Sequence, residues 1–242
     1  TEMNLDSDWA GYAIVGARYP MIKATDWVRN PEGKIIVDPV TGLPKAGDIV
    51  AVGTSDPTVR IGLNSVMKWK GFSLAATFDY RGGHYTRPSS EYNMLFTGAS
   101  YISGISGRQR FVFPNSVIEE TDASGNVTYR ENTDITVNDA GKTFWNGIYK
   151  QGRANQIISA ASWRLRELSL GYDVPKKYLK KVGFLQRASV SLVGRNLFMW
   201  TPSTNIWGDP DFTGSGNGNV GGFSGTNNVG QRSYGFNLLL SF

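Results

Sequence analysis

The last ten residues of the chain alternate. Tyr234, Phe236, Leu238, Leu240 and Phe242 share one parity, while Ser233, Gly235, Asn237, Leu239 and Ser241 share the other, so only Leu239 breaks a two-faced pattern. A period of two is the signature of a β-strand with one apolar side. Sandwich strands are usually about 5–6 residues long, whereas a strand tilted through a bilayer needs about 9–11. The length and the strictness of the alternation therefore point to a strand that faces lipid on one side and water on the other.

The same rhythm recurs upstream. Phe72, Leu74, Ala76, Phe78 and Tyr80 alternate with Ser73, Ala75, Thr77, Asp79 and Arg81, a second set small or polar enough for a wet lumen. Just before them Leu63, Ser65, Met67 and Trp69 alternate with Asn64, Val66, Lys68 and Lys70, and only Gly71 separates the two runs, which reads as a tight hairpin. Over residues 187–200, Ala188, Val190 and Leu192 oppose Ser189, Ser191 and Arg195. Over residues 163–173, Leu168, Leu170 and Tyr172 oppose Glu167, Ser169 and Gly171. Arg164 and Arg166 share the apolar parity of that run, which places them at a headgroup rim unless the register shifts. A sixth strand, over residues 9–19, is Gly/Ala-rich and the weakest. No run of about 18 apolar residues occurs, so no helix spans a bilayer, but this leaves a membrane β-barrel open.

Connection lengths give an orientation. Residues 201–232, 82–162 and 20–60 are long, whereas Gly71 and residues 174–186 are short, and long alternates with short along the chain. Outer-membrane barrels keep short turns in the periplasm and long loops outside. Six strands cannot close a barrel, since bacterial single-chain barrels begin at about eight. An open sheet in lipid leaves edge backbone groups unsatisfied at several kcal/mol each, so these strands must pair with others.

Several ordered motifs resemble the SusC/RagA-like, TonB-dependent outer-membrane transporters. They are DWVRNPEGKIIVDPVTGLP (residues 26–44), DPTVRIGLNSVMKWKGFSLAATFDYRGG (56–83), ASWRLRELSLGYDVP (161–175), GRNLFMWTP (194–202) followed by Asp209-Pro210-Asp211, and the terminal SYGFNLLLSF. The family pattern reads Asp-Pro-Glu where this chain has Asp209-Pro210-Asp211. The resemblance implies an all-β fold: residues 1–242 as the C-terminal portion of a transmembrane antiparallel barrel, about the last six of some 22 strands, with long extracellular loops. It also implies a plug domain and TonB box lying outside this chain, a SusD-like surface lipoprotein as lid, TonB as the energising partner, and oligosaccharides or oligopeptides as cargo. In such a protein the final strand, with Tyr234, Phe236, Leu238, Leu240 and Phe242, is the signal read by the barrel-assembly machinery. Its location would be the bacterial outer membrane, with lipid and the rest of the barrel as neighbours.

Aromatics in the loops divide between cargo contact and packing. Trp145, Trp207 and Tyr92 lie in long connections and are the candidates for stacking on cargo. Trp163 and Trp200, at strand ends, fit an interfacial girdle, and Tyr85 and Tyr101 fit loop packing. Asp209, Asp211, Asn217 and Asn219 carry oxygen ligands of the kind calcium uses, but Asp-Pro and Gly/Asn repeats are ordinary turn chemistry, and no metal is expected. Lys176, Lys177, Lys180 and Lys181, with Tyr178, Leu179 and Val182 at helical spacing, predict a short basic helical turn after Pro175.

Chemistry of the chain's own finds little support. Cysteine is absent and His84 is the single histidine, which excludes thiol nucleophiles and multi-histidine sites. Glu119 and Glu120 are adjacent and do not form a facing acid/base pair. No catalytic residue and no cofactor are expected, and the net charge of +5 is spread along the chain, giving no nucleic-acid stripe. The other class compatible with these features is a soluble, secreted β-sandwich carbohydrate-binding module, which would need no detergent.

Overall fold

The computed structural model describes residues 10–105, 107, 109–137, 142–181, 183–211, 223–224 and 230–242. In chain order its strands are β1 (Ala10–Tyr12), β2 (Met21–Trp27), β3 (Ile35–Val37), β4 (Ala46–Thr54), β5 (Val59–Trp69), β6 (Phe72–Gly82), β7 (Tyr85–Pro88), β8 (Ser116–Thr121), β9 (Val127–Glu131), β10 (Ile158–Ser159), β11 (Ser162–Asp173), β12 (Arg187–Trp200), β13 (Phe223–Ser224) and β14 (Ser233–Ser241). The helices are short: α1 (Ser89–Thr97), α2 (Tyr101–Gly104), α3 (Lys142–Asn146) and α4 (Lys176–Leu179), with a 3-10 segment at Ile148–Gln156. The chain divides into two compact units. One comprises Thr1–Asp56, Tyr85–Ile158 and Thr213–Asn227, and the other Pro57–His84, Ser159–Phe212 and Asn228–Phe242.

The second unit is built on a five-stranded antiparallel sheet in the order β14-β12-β11-β6-β5. Its strands are the long alternating runs of the sequence. The β5–β6 hairpin closes on Lys70 and Gly71 with φ of 47° and 90°. Two consecutive positive φ values define the type I′ turn, whose twist matches that of a two-stranded ribbon, and glycine makes the second position cheap.

Register sorts the side chains by face. Trp69 pairs with Phe72, Met67 with Leu74, Leu63 with Phe78 and Ile61 with Tyr80. The same row positions continue through Tyr172, Leu170, Leu168, Leu165 and Trp163 on β11, then Val190, Leu192, Phe198 and Trp200 on β12, and Leu238, Phe236 and Tyr234 on β14. This face is predominantly apolar across all five strands, with Ser65 of β5, opposite Ala76, as a polar member. The opposite face carries Ser73, Ala75, Thr77 and Asp79 of β6, Glu167, Ser169 and Gly171 of β11, and Ser189, Ser191 and Arg195 of β12.

Arg164 and Arg166 do not share the apolar face, contrary to their sequence parity. The β6 and β12 registers both shift between Leu165 and Glu167. The extra residue at this bulge reverses the parity, so Trp163 and Leu165 fall in line with Leu168 and Leu170, while Arg164 lies opposite Asp79. Asn196, with φ of 52°, takes up the irregularity on β12.

The expected sixth strand over residues 9–19 is also corrected. Only Ala10–Tyr12 is extended there, and it pairs with β2 in a separate three-stranded sheet, β1-β2-β4. Trp9 lies outside the described residues. The long sheet therefore has five strands among the described residues, not six.

The first unit folds from segments that read as long connections. It contains β1-β2-β4 and a second sheet, β3-β8-β9, in which β3 runs parallel to β8 and β9 antiparallel to it. Trp27, Ile35, Val37, Phe113, Ile118, Val137 and Phe144 form its core, with Leu43, Phe111, Ile135, Trp145 and Tyr149 packed against it. Trp27 meets Phe113 edge-on at 5.3 Å between ring centroids, a geometry aromatic quadrupoles favour. Side chains close the turns. Asn30 accepts from the backbone N–H groups of Glu32 and Lys34, Asp38 from those of Val40 and Thr41, and Asp122 from those of Ser124 and Asn126. Such Asx turns explain why the stretches 26–44 and 121–127 fold despite lacking periodicity.

Candidate functional site

On the polar face of the five-stranded sheet, three arginines and three aspartates come together. The β11 bulge brings Arg164 and Arg166 to this side, β6 contributes Asp79 and Arg81, and the segment after β12 contributes Asp209 and Asp211. Arg164 donates to both carboxylate oxygens of Asp209, through Nη1 at 2.6 Å and through Nη2, and its Nε lies 3.3 Å from Asp211 Oδ2. Arg166 Nη2 bridges Asp79 at 2.6 Å and Asp211 at 2.7 Å. Arg81 closes the ring through Asp79 at 3.4 Å and Asp211 at 3.3 Å.

These charges balance, three against three, and each aspartate serves at least one planar guanidinium fork. That is the arrangement in which ion pairs offset their desolvation. Burial alone would raise the Asp209 carboxyl, but hydrogen bonds from Arg164 and from the Asp211 backbone hold it below the usual carboxylate range. The Arg164 side chain is only 6% exposed, so losing its partner would strand a buried charge. The cluster pins the residue 209–211 segment to the sheet. Beside it lies a cavity of about 430 Å³ that Arg164, Arg166, Asp209, Asp211, Phe198 and Arg232 help to line.

Sequence reasoning missed this cluster, reading the same aspartates as turn formers. Asp211 N–H does donate to Asp209 Oδ1 at 2.9 Å, so the turn exists, but its carboxylates also serve the arginines. The signal available was Arg164 and Arg166 on the wrong parity, which required either a rim position or a bulge.

The other expected residues are dispersed. Trp145 is half-buried, with its ring 4.7 Å from Phe144 and 5.3 Å from Tyr149 in the first unit's aromatic cluster. Trp207 is half-buried after β12, its backbone N–H donating to Asn205 Oδ1. Tyr92 lies in α1, and its side chain is outside the described residues. Tyr234, Phe236, Leu238 and Leu240 line the apolar face of β14, and Phe242 stacks on Phe184 at 5.9 Å. Asn217, Asn219 and Val182 lie outside the described residues. Among the described residues no group of three or more His, Asp or Glu stands ready to hold a metal ion. Glu119 and Glu120 alternate faces on β8, and Glu120 pairs with Arg130 at 3.1 Å.

One carboxyl in the first unit is perturbed. Glu91 accepts a 2.7 Å hydrogen bond from the Tyr149 hydroxyl. Burial pushes the Glu91 carboxyl up to about 7, since the Tyr149 hydrogen bond and the Arg87 charge offset only part of the desolvation.

No family model and no curated protein matches this sequence. Solved structures do match. Chains of the RagAB peptide importer align over 100% of these residues in its "closed-closed" state (TM-score 0.58, 17% identity, 25% of that chain). They do so again in its "open-open" state (TM-score 0.60, 18% identity, 24% of that chain) and in a further RagAB peptide transporter structure (TM-score 0.57, 16% identity, 24%). The present chain thus spans about a quarter of the length of the chains it matches. Over its whole length it has the fold of that quarter of a RagAB importer chain, the structural likeness to SusC/RagA-like transporters that its motifs suggest.

Proposed function

We propose that this chain is the C-terminal portion of a SusC-like, TonB-dependent outer-membrane transporter that imports oligopeptides or oligosaccharides. One observation carries the reading: the apolar face of the five-stranded sheet is exposed and is bounded by two aromatic rows. Trp69, Phe72 and Tyr172 form one row, and Tyr80, Trp163 and Trp200 the other, with Phe72 and Tyr172 at 4.6 Å and Tyr80 and Trp163 at 4.7 Å. Eight residue steps separate Phe72 from Tyr80, roughly 27 Å along the strand and roughly 20 Å of height at a tilt of about 40°. That suits the apolar band and aromatic girdles of an outer-membrane barrel.

The opposite face, of small and polar residues, lines the lumen, and β5 and β14 pair with further strands. The residue 70–71 turn and the 174–186 connection lie in the periplasm, and the 83–161 and 201–232 connections lie outside. A SusD-like surface lipoprotein covers the outer mouth, and TonB acts through the plug-bearing portion of the whole protein. Peptide is the better supported cargo, because the solved neighbours are peptide importers. Trp207, Trp145 and Tyr92 are the proposed cargo contacts, and the last strand, with Tyr234, Phe236, Leu238, Leu240 and Phe242, is the proposed assembly signal.

The test is uptake of fluorescent oligopeptides and oligosaccharides by cells making the full-length protein, with membrane fractionation in parallel. Energy-dependent uptake that a protonophore abolishes, together with extraction only by detergent, supports the reading. A protein that remains in solution without detergent overturns it in favour of a soluble module.

A further inference from the structure

The two ends of the five-stranded sheet differ in charge. At the long-connection end the arginines are matched by Asp79, Asp209 and Asp211. At the other end, residues 68–73 and 173–187 hold Lys68, Lys70, Lys176, Lys177, Lys180, Lys181 and Arg187 against one acidic side chain, Asp173. Asp173 is already engaged, with Arg187 Nη2 at 3.3 Å. Five of the lysines, Lys70, Lys176, Lys177, Lys180 and Lys181, lie in the turn and in the 174–186 connection, and all five are exposed.

Their placement relative to the apolar face matters more than their number. Trp69, Phe72 and Tyr172 end that face at this side, and the lysines follow directly. The Lys70 ammonium sits 4.9 Å from the centre of the Trp69 ring, and that of Lys177 sits 4.8 Å from the Tyr178 ring. Tyr178 and Phe184 are exposed, and Phe184 stacks in parallel on Phe242. Aromatic rings topped by ammonium groups at the border of a greasy surface match the boundary between acyl chains and phosphates, where long cationic side chains reach outward. A soluble acidic partner would gain the charges but has no use for the adjoining exposed rings.

We propose that this rim binds the anionic phospholipid headgroups of the periplasmic leaflet, with Lys70, Lys176, Lys177, Lys180 and Lys181 as the phosphate-facing groups. The inference rests on the membrane reading above and goes beyond it, since a barrel needs no such charge asymmetry to transport cargo. α4 carries Lys176 and Lys177, Lys180 is its C-cap and Lys181 follows, and the buried Leu179 anchors this short helix, so the four are held at the rim.

The test uses the whole transporter reconstituted in vesicles, with electron spin resonance of spin-labelled lipids. Spin-labelled phosphatidylglycerol is expected to associate at least about threefold more than spin-labelled phosphatidylethanolamine, and the preference should shrink at high salt. Replacing the five lysines by glutamine should bring the ratio to about one, and replacing them by arginine should preserve it, because arginine keeps the charge. Equal association of both lipids with the unaltered protein, or a preference unchanged in the glutamine variant, overturns the proposal. So does loss of the preference on adding inorganic phosphate at constant ionic strength, which would make the rim a phosphate site. Immobilisation of neither lipid would instead count against the membrane reading itself, so the two failures are distinguishable.

Discussion

The two units of this chain treat their apolar side chains in opposite ways. In the first, Val37 and Ile118 are 0% and 2% exposed, around an aromatic core of Trp27, Phe113 and Phe144. In the second, Phe236, Leu238 and Leu192 are 63%, 59% and 56% exposed, although each lies on a regular, well-paired strand. Isolated exposed leucines are ordinary, but a predominantly apolar face across five strands is not. One unit hides its hydrocarbon within itself, and the other leaves it exposed along a whole sheet face, the face that the proposed function sets against lipid.

The comparison can be broken most severely in the first unit. Trp27→Ala removes the ring that touches Phe113, Phe144 and Tyr149, and should cost about 3–5 kcal/mol. Hydrogen exchange at the Val37 and Ile118 amides in the full-length protein reads the loss. Protection unchanged there would mean that this cluster is not the unit's core.

Leu238→Arg probes the other unit. On a lipid-facing surface it should destabilise by about 2–4 kcal/mol at mid-depth, measured by urea unfolding in vesicles. Asn237→Arg, one residue away on the polar face, should be far milder. Equal effects would refute the assignment of faces.

A pH titration sharpens the contrast, because the perturbed Glu91 carboxyl belongs to the unit with the water-excluding core. Its folded-state pKa of about 7 lies above the ordinary carboxyl value, so the folded form holds the proton more tightly than the unfolded one. Stability is therefore greatest below the ordinary value near 4.5, falls as pH rises from there to about 7, and levels off above. The total loss should be about 3 kcal/mol. Glu91→Gln should flatten that slope, seen as pH-independent protection factors at the α1 amides once the intrinsic rise of exchange with pH is divided out.

The smallest effect is expected at the hairpin. Gly71→Ala places a side chain at φ of 90°, with its Cβ 2.9 Å from the Asp173 carbonyl oxygen. About 1–2 kcal/mol should be lost, visible as a lower midpoint in the same urea titration.

Much of the second unit was legible because its evidence is local. Alternation over residues 63–81 and 233–242 needs no knowledge of partners, and neither does a lysine-glycine turn between two runs. The first unit was opaque for the converse reason. Its segments carry turn chemistry, Asn30, Asp38 and Asp122 among them, with strands as short as Ile35–Val37, too brief for a period to register. Residues 20–60 and 82–162 accordingly read as loops. The candidate site was visible only as an anomaly, two arginines on the wrong parity, and the sequence offered no means of choosing between a rim position and a bulge.

By itself the amino-acid order determined that the chain makes long two-faced strands, where they turn, and which side of each is greasy, because side-chain alternation follows from the covalent geometry of an extended backbone. Only the tertiary structure decided that one extra residue at Arg166 turns Arg164 to the polar face, and that Asp209 and Asp211, each 45 positions on, meet Arg164 and Arg166 there. Those pairings depend on which strands lie side by side and in what register. That is set by the sum of contacts across the whole sheet, and no single segment encodes it.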